Sequence, residues 1–488
     1  MSKGLVNGSV IAHVVSNIII IMGILMLPAL GFSWYYSEHD FFPILTSALI
    51  TSVIGISIRF LTRKSKDAEI KKRDGYLIVT LSWVAMAVFG TLPYLLSNAI
   101  PDISNAFFES MSGLTTTGAT ILDDIESLPR GILFWRSMTQ WIGGMGIIVL
   151  TIAILPLLGI GGMELFVAEA PGPTKDKIHP RIKETAKRLW IIYLILTTAE
   201  TIILMFCGMN FYDAINHALT TNSTGGFSTK QASIAAFDSP IIEGVIMFFM
   251  FLAGTNFTLI YFGFKGKFDR FYHNDEFKWY LGAVLGLIII LTPIVFYNTD
   301  LSFARSVRDV SFQVVSIITT TGYATGDYTL WGPLATFIFF LLLFSGASAG
   351  STSGGFKIVR IVLLMKNGFL EFKKRLHPNA IIPVHLNKQV VPPNIIYNLM
   401  AFLFLYLFFF TVGSIAMTAF GETFDVAISS VATSLGNVGP GISEVGPSGT
   451  FSGISTPGKW VLSFLMLFGR LELFTVALIF TPYYWRRT

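Results

Sequence analysis

Ten long apolar segments constrain the fold of this chain more than any other feature of its sequence. A helix that crosses the hydrocarbon core of a bilayer needs about 20 predominantly apolar residues. The segments cover residues 10–35, 41–62, 75–98, 132–158, 189–208, 240–264, 279–297, 333–365, 395–420 and 459–484. Only 13% of the 488 residues are charged, against about 25% in soluble domains. The sequence therefore predicts an all-α polytopic membrane protein with ten transmembrane spans.

Charge gives this arrangement an orientation. If every segment is a simple crossing, the basic stretches 59–74, 175–188, 265–278 and 366–375 and the terminal Arg486 and Arg487 all fall on one side. Short acidic loops at 37–40 and 123–127 fall on the other side. Because Lys and Arg collect in cytoplasmic loops, both termini are predicted to be cytoplasmic. The first apolar run has no small-residue cleavage site, which favours a retained span over a signal peptide.

The outer connections after spans 3, 5, 7 and 9 repeat one pattern. Each begins with a half-apolar stretch too short to cross a membrane and continues as a string of Thr, Ser and Gly. The four sequences are AFFESMSGLTTTGAT (106–120), DAINHALTTNSTGGFST (213–229), VSFQVVSIITTTGYATGD (310–327) and FDVAISSVATSLGNVGPG (424–441). Aligned on their first glycines, Gly118, Gly225, Gly322 and Gly436, they recur at intervals of 107, 97 and 114 residues.

This periodicity predicts a fourfold internal repeat of span, short helix, polar loop and span. The expected boundaries are a two-span extension (1–70) and four pore repeats (71–170, 171–270, 271–375 and 376–488). Irregular backbone at membrane depth is tolerated only where it is buried in protein or lines a watery cavity. One such loop is usually an ordinary extracellular turn, but four at matched spacing on one side favour re-entrant loops around a single axis.

The strings suit a cation filter. Glycine allows positive φ, so that carbonyl groups can face inward, and a ring of carbonyl oxygens replaces the hydration shell of K+ in potassium filters. The short helices would direct their negative C-terminal ends at the axis, which favours a cation. The candidate K+-binding residues are Thr115, Thr116, Thr117 and Gly118; Asn222, Ser223, Thr224 and Gly225; Thr319, Thr320, Thr321 and Gly322; and Thr433, Ser434, Leu435, Gly436 and Asn437. Backbone oxygens are expected to coordinate before threonine hydroxyls, because glycine is the position shared by all four strings.

Three polar residues occupy one aligned column, nine residues before the anchor glycine: Glu109, Asn216 and Gln313. They are expected to tether the short helices to the filter backbone. The sequence has no Ser-His-Asp signature, HExxH motif or Walker lysine, its seven histidines are scattered, and it has one cysteine, Cys207. These features disfavour an enzyme and a resident metal site.

Span 8 contains a run of small residues, SGASAGSTSGG from Ser345 to Gly355. Four glycines should break a helix there. A phosphate-binding loop is disfavoured because no strand precedes the run and the Gly-Lys-Ser/Thr signature is missing. Close helix packing through small residues remains open.

In span 10, Arg470 lies deep in the bilayer, where a charge must face a pore or find a partner. Glu472 lies on another face of that helix, so a buried pair with another span is the alternative.

Together, the four glycine strings, the N-terminal pair of spans and these features of spans 8 and 10 resemble the TrkH/TrkG family of bacterial Trk potassium-uptake membrane subunits. The wider superfamily also includes Ktr and HKT proteins. The resemblance implies K+ uptake over Na+ through a pseudo-fourfold pore in one subunit of the bacterial inner membrane. It also implies a homodimer and control by a cytosolic TrkA-like ring that binds ATP/ADP or NAD. Channel conduction and H+- or Na+-coupled symport both stay open.

The resemblance also gives roles to residues. Superfamily members with serine at the first anchor tend to pass Na+, so Gly118 favours K+, whereas Leu435 departs from the other strings. The broken segment of span 8 is implied to be a gate beneath the filter, with Lys357 as its anchor and Arg470 facing the pore. The gate residues are Gly346, Ala347, Ser348, Ala349, Gly350, Ser351, Thr352, Ser353, Gly354 and Gly355. The basic loops 175–188 and 366–375 are expected to dock the regulator or to contact lipid head groups; no cofactor besides transported K+ and no nucleic-acid partner is expected.

Overall fold

A computed structural model describes residues 6–65, 71–149, 178–380 and 382–486, with the side chains of 147–149 and 178–185 left out. The end of the predicted fourth span (150–158) and parts of the basic stretches 59–74 and 175–188 lie outside the described residues.

Two antiparallel helices form the N-terminal extension. They are α1 (Gly8–Tyr35) and α2 (Phe41–Leu61). Small residues let their backbones approach: a Cβ added to Gly23 would collide with Ser52, and one added to Gly55 would lie 3.1 Å from the Ser16 carbonyl oxygen. The extension also packs on the first repeat, where the Asp40 carboxylate accepts a hydrogen bond of 3.0 Å from the Ile132 backbone N–H.

The first two repeats follow in sequence. Repeat 1 consists of α3 (Lys72–Gly90), α4 (Leu92–Leu96), the short helix α5 (Ile103–Leu114) and α6 (Arg130–Val149). Repeat 2 consists of α7 (Ile178–Phe206), the short helix α8 (Phe211–Asn222), α9 (Pro240–Ala253), α10 (Phe257–Phe264) and the connecting α11 (Asp269–His273).

The last two repeats have the same order of helices. Repeat 3 consists of α12 (Asp275–Asn298), the short helix α13 (Phe303–Ile318), α14 (Pro333–Leu342) and α15 (Ile358–Leu376). Repeat 4 consists of α16 (Pro393–Ala419), the short helix α17 (Phe424–Gly436), α18 (Thr456–Arg470), α19 (Leu473–Ala477) and α20 (Pro482–Trp485). Capping explains where three short helices begin, because Asp102, Asn210 and Ser302 accept backbone N–H groups of their first turns.

Two small ladders interrupt the all-helical pattern. Strands β1 (Ser345–Gly346) and β2 (Phe356–Lys357) pair in parallel and close the base of the loop between α14 and α15. Strands β3 (His385–Leu386) and β4 (Gln389–Val390) pair antiparallel and pack their hairpin against the first turns of α15 and α16. The other regular elements of the described ranges are helices.

Within the described ranges, six helices are long and apolar enough to cross a membrane, and two bent helix pairs raise the number to eight. The bends are 108° between α9 and α10 and 115° between α18 and α19. The second helix of repeat 3 is interrupted between α14 and α15, where the sequence indicated a break, and the corresponding helices of repeats 2 and 4 break as well. The first bend follows Gly254, and the second occurs at Glu472, where φ is +61°.

Candidate functional site

The four short helices end in the same backbone motif. In each, one residue takes the left-handed conformation, the next returns to negative φ, and a glycine then takes positive φ. The left-handed residues are Thr116, Thr224, Thr320 and Asn437, with φ between 51° and 58°. The glycines are Gly118, Gly226, Gly322 and Gly439, with φ between 78° and 106°. Alternation in the sign of φ turns successive carbonyls toward one side, unlike an ordinary strand.

Hydrogen bonds confirm this equivalence. The residue between each such pair donates its backbone N–H to the carbonyl five residues earlier, as in a Schellman helix end. The bonds run from Thr117 to Ser112, Gly225 to Thr220 and Thr321 to Ser316 at 2.9 Å, and from Val438 to Thr433 at 3.1 Å. The four equivalent strings are therefore 115–118, 223–226, 319–322 and 436–439.

This geometry corrects the sequence alignment in two of the four strings. Gly118 and Gly322 are equivalent as expected, but their counterparts are Gly226 and Gly439, not Gly225 and Gly436. The correction moves other filter candidates into the short helices. Asn222 is the last residue of α8, and Thr433, Ser434 and Leu435 lie within the last turn of α17.

The strings contact each other in a closed order. A Cβ added to any of the four glycines would collide with, or press on, a carbonyl oxygen of the next string. The pairs are Gly118 with Gly225, Gly226 with Thr321, Gly322 with Val438, and Gly439 with Thr117. Because the last pair returns to the first string, the four strings surround one axis in the order 1–2–3–4. The carbonyl oxygens of Thr117, Gly225, Thr321 and Val438 occupy equivalent places in this ring.

Buried side chains hold the ring from outside. Glu109 accepts hydrogen bonds from the Thr120 hydroxyl at 2.9 Å and from the Ile121 N–H at 3.0 Å. Gln313 donates to the Gly326 carbonyl at 2.9 Å, and His217 contacts the Ser228 hydroxyl at 2.9 Å. Asn216, in contrast, donates to the Tyr212 carbonyl within its own helix. With Gly226 as the anchor, His217 takes the position nine residues upstream that the sequence alignment gave to Asn216.

Neighbouring strings are also braced to one another. Asn437 donates to the Thr117 hydroxyl at 3.0 Å and to the Met466 carbonyl at 2.9 Å, which joins strings 4 and 1. The Tyr323 hydroxyl contacts the Thr220 hydroxyl and donates to the His217 carbonyl, which joins strings 3 and 2. Two of the four junctions between strings therefore have a polar contact of their own.

A loop formed by residues 345–357, the loop between α14 and α15, lies against the inner ends of the strings. The Gly354 N–H donates to the Thr320 hydroxyl at 2.7 Å. The Thr352 hydroxyl bonds to the carbonyls of Asn222 at 3.0 Å and Ala253 at 3.2 Å. The loop also contacts the break after α9, where the Ser348 N–H donates to the Gly254 carbonyl at 3.0 Å. The bend of repeat 2 thus exposes carbonyl groups that the loop of repeat 3 satisfies.

Arg470 contacts this loop. Its guanidinium is 2% exposed and donates to the Thr352 carbonyl at 2.8 Å and to the Gly143 carbonyl at 3.1 Å. Glu472 does not neutralise it, because that carboxylate pairs with Arg360 at 2.6 Å. Lys357 donates to the Ser353 carbonyl and, at 3.1 Å, to its hydroxyl, at the end of the loop. Among the described residues, Glu472 therefore forms an ion pair with another span, and Arg470 forms none.

The candidate gate residues 346–355 with Lys357 and Arg470 are thus brought together beneath the strings. Sequence reasoning missed Gly226, Val438 and Gly439 in the ring. In the fourth string the sequence signal is Asn437 two residues before a glycine, since asparagine tolerates the left-handed conformation better than most residues. In the described ranges, no group of three or more His, Cys, Asp or Glu is arranged to hold a metal.

Comparisons with known proteins cover nearly the whole chain. The profile of the TrkH family, described as cation transport protein, matches residues 42–487. The Trk system potassium uptake protein TrkH of Escherichia coli K12 is 43% identical over 442 residues, 90% of this chain and 91% of the relative. TrkG of the same strain is 34% identical over 485 residues, 98% of each chain. The crystal structure of the potassium transporter TrkH from Vibrio parahaemolyticus superposes with a TM-score of 0.90 at 36% identity, covering 98% of this chain and 99% of that one.

Proposed function

Because the chain belongs to the TrkH family of cation transport proteins, we propose that it takes up K+ across the bacterial inner membrane through the ring of four strings. Members of this family are transport proteins, so the chain is not an enzyme, as the sequence predicted. The relatives that it matches are potassium uptake proteins. The observation that carries the proposal is the identical backbone motif at four helix ends, closed into one ring.

The ring suits a dehydrated monovalent cation. Four short helices end at it, and their C-terminal ends carry partial negative charge. The equivalent carbonyl oxygens supply ligands of the kind that replace water around K+. No carboxylate belongs to the four strings, so a K+ ion there is coordinated without being bound tightly enough to stop transport.

The membrane path consists of ten crossings in this proposal. Six straight helices and two bent pairs account for eight, and α6 and the broken pair α14 and α15 supply the other two. Both termini then lie in the cytoplasm, as the distribution of basic residues indicates. The five segments of the chain are the N-terminal pair and four pore repeats.

Flux measurements test the proposed selectivity. The purified protein is reconstituted into liposomes, and uptake of radioactive Rb+ is measured in competition with K+ or Na+. We expect K+ to compete far better than Na+. Gly118→Ser should weaken this discrimination by about tenfold, because a side chain at positive φ costs about 1–2 kcal/mol and displaces the Gly225 carbonyl. Gly282→Ser is the matched control, because no atom lies within 4 Å of an added Cβ there.

Equal competition by K+ and Na+ in the native protein would contradict the proposal. The coupling is tested in the same liposomes: uptake that persists without Na+ and with the proton gradient collapsed indicates a channel. Uptake that requires one of these gradients indicates symport with that ion.

The loop between α14 and α15 and Arg470 form the gate in this proposal. A cytosolic TrkA-like ring that binds nucleotide controls the gate, and the transport unit is a homodimer. The contacts of Arg470 and Gly354 with loop and string support the position of the gate. The expected result is that the purified ring binds the membrane protein and that nucleotide changes Rb+ uptake. A ring that binds without altering uptake at any nucleotide concentration contradicts the regulatory role.

A further inference from the structure

We propose that Gln140 on helix α6 sets the ion preference of the ring by holding one of its four equivalent carbonyl groups. The inference rests on the proposed K+ transport and assigns a positioning residue to it. Gln140 is fully buried and lies behind the second string. Its side-chain N–H donates to the Gly225 carbonyl at 2.7 Å, and its oxygen accepts the Phe227 N–H at 3.0 Å.

The two bonds fix the peptide groups on either side of Gly226. A primary amide has both a donor and an acceptor. Gln140 can therefore make both bonds only when the Gly225 carbonyl and the Phe227 N–H both point toward it. A rotation of either peptide group breaks one of the two bonds. Gln140 therefore holds the second string in the conformation that the other three strings share.

Within the part of the chain that the structure describes, the Gly225 carbonyl is the one ring carbonyl held in this way. Among the described residues, the equivalent oxygens of Thr117, Thr321 and Val438 accept no hydrogen bond from a side chain or from the backbone. The four strings therefore share one backbone conformation, but their ring carbonyls differ in hydrogen bonding. An oxygen that already accepts an N–H has less electron density to offer a cation than its three counterparts.

A second side chain of α6 holds the same stretch of backbone. One turn earlier on the same face of α6, Arg136 pairs with Glu109 at 2.6 Å, and the two side chains are 2% and 0% exposed. Arg136 also donates to the Ser228 carbonyl at 3.0 Å and covers the Phe227 ring at 3.5 Å from its centroid. The face of α6 that carries Arg136 and Gln140 therefore binds three polar backbone groups at the end of the second string and just after it: the Gly225 carbonyl, the Phe227 N–H and the Ser228 carbonyl.

The direction of the effect follows from ligand strength. A carbonyl released from its N–H donor interacts more strongly with a bound ion and is free to move toward it. Stronger and closer oxygens favour the smaller cation, Na+, over K+. Removing the Gln140 amide is therefore expected to lower the K+/Na+ ratio and not merely the rate.

The test compares Gln140→Met and Gln140→Glu with the native protein in liposomes. Methionine keeps the volume and removes both bonds. Glutamate keeps the acceptor for Phe227 and, when ionised, loses the donor to Gly225. One net hydrogen bond corresponds to about a 2-fold to 10-fold change in an equilibrium, so each variant should lower the K+/Na+ competition ratio by that factor. Because only the glutamate variant adds a charge and only the methionine variant loses the acceptor, a shared shift in ratio identifies the lost donor.

Gln231→Met is the control, since this exposed glutamine accepts the Ile125 N–H at 2.9 Å away from the strings. Its ratio should equal that of the native protein. Equal loss of K+ and Na+ uptake, with a lowered melting temperature and an unchanged ratio, would show a purely structural role and overturn the inference. A native protein without K+ preference would instead overturn the proposed function, so the two failures are distinguishable.

Discussion

Replacing Arg470 by alanine should open the transport path in the absence of any regulator. The side chain is buried and ties α18 to the loop through its 2.8 Å bond to the Thr352 carbonyl. Hydrogen bonds to charged groups contribute about 1.5–3 kcal/mol, and 1.4 kcal/mol changes an equilibrium constant about tenfold. Loss of this bond alone should therefore raise the population with a displaced loop by about 10-fold to 100-fold. Removal of a positive charge near the cation path acts in the same direction.

The assay is initial Rb+ uptake into liposomes that contain the purified membrane protein alone. Thr352→Val provides a graded comparison, because it removes the hydroxyl bonds to Asn222 and Ala253 and leaves the carbonyl that Arg470 contacts. Because the hydroxyl has one proton, the two contacts share it and together amount to about one neutral bond of 0.5–1.5 kcal/mol, so uptake should rise by a smaller factor, about 2-fold to 10-fold. Arg375→Ala is the control, since this exposed arginine ends α15 away from the loop.

A second measurement follows the loop directly. In a Cys207→Ser background, Ser348→Cys places one thiol in the loop. A membrane-impermeant thiol reagent applied from the cytoplasmic side should modify it faster when Arg470→Ala is also present. The reasoning is refuted if Arg470→Ala is monodisperse and shows native Rb+ uptake and a native modification rate.

Two further substitutions test how the ring and the extension are held. Glu109→Gln should lower stability by about 3–5 kcal/mol, because it leaves Arg136 buried without its counter-charge; thermal unfolding in detergent measures this, and Glu371→Gln in an exposed pair should change stability by less than about 1 kcal/mol. Gly55→Leu should cost about 1–3 kcal/mol by overpacking the contact of α1 with α2. Gly282→Leu, at an open position, should leave the melting temperature unchanged, and equal losses in the two leucine variants would contradict the packing argument.

The re-entrant architecture follows from the sequence because its signals are long and repeated. Apolar length fixes the helices, and four polar strings at matched spacing fix where the short helices end. The individual anchors were harder to find. Gly225 and Gly436 are the first glycines of their strings, but a glycine letter does not reveal its φ. In the second string two glycines are adjacent, and in the fourth Asn437 takes the left-handed position, so the equivalent glycine comes three residues later.

The breaks of α9 and α18 were missed for a different reason. A run of eleven small residues indicates the break in repeat 3, whereas Gly254 and Glu472 have only a few polar or small residues around them in otherwise apolar segments. What stabilises these bends is tertiary: the carbonyl of Gly254 accepts the Ser348 N–H, and Glu472 pairs with Arg360. Gln140 was missed because a single glutamine in an apolar helix has no pattern, and its bonding partner lies 85 residues away.

The covalent continuity of the ring has a consequence for variation. In a pore made of four identical subunits, one codon change alters all four equivalent positions at once. Here separate codons encode the four residues of the ring carbonyls, Thr117, Gly225, Thr321 and Val438. Each of these residues can therefore mutate, or be substituted in an experiment, while the other three stay unchanged. Single substitutions therefore report on one ligand of a ring, a resolution that a homotetramer reaches only through linked concatemers.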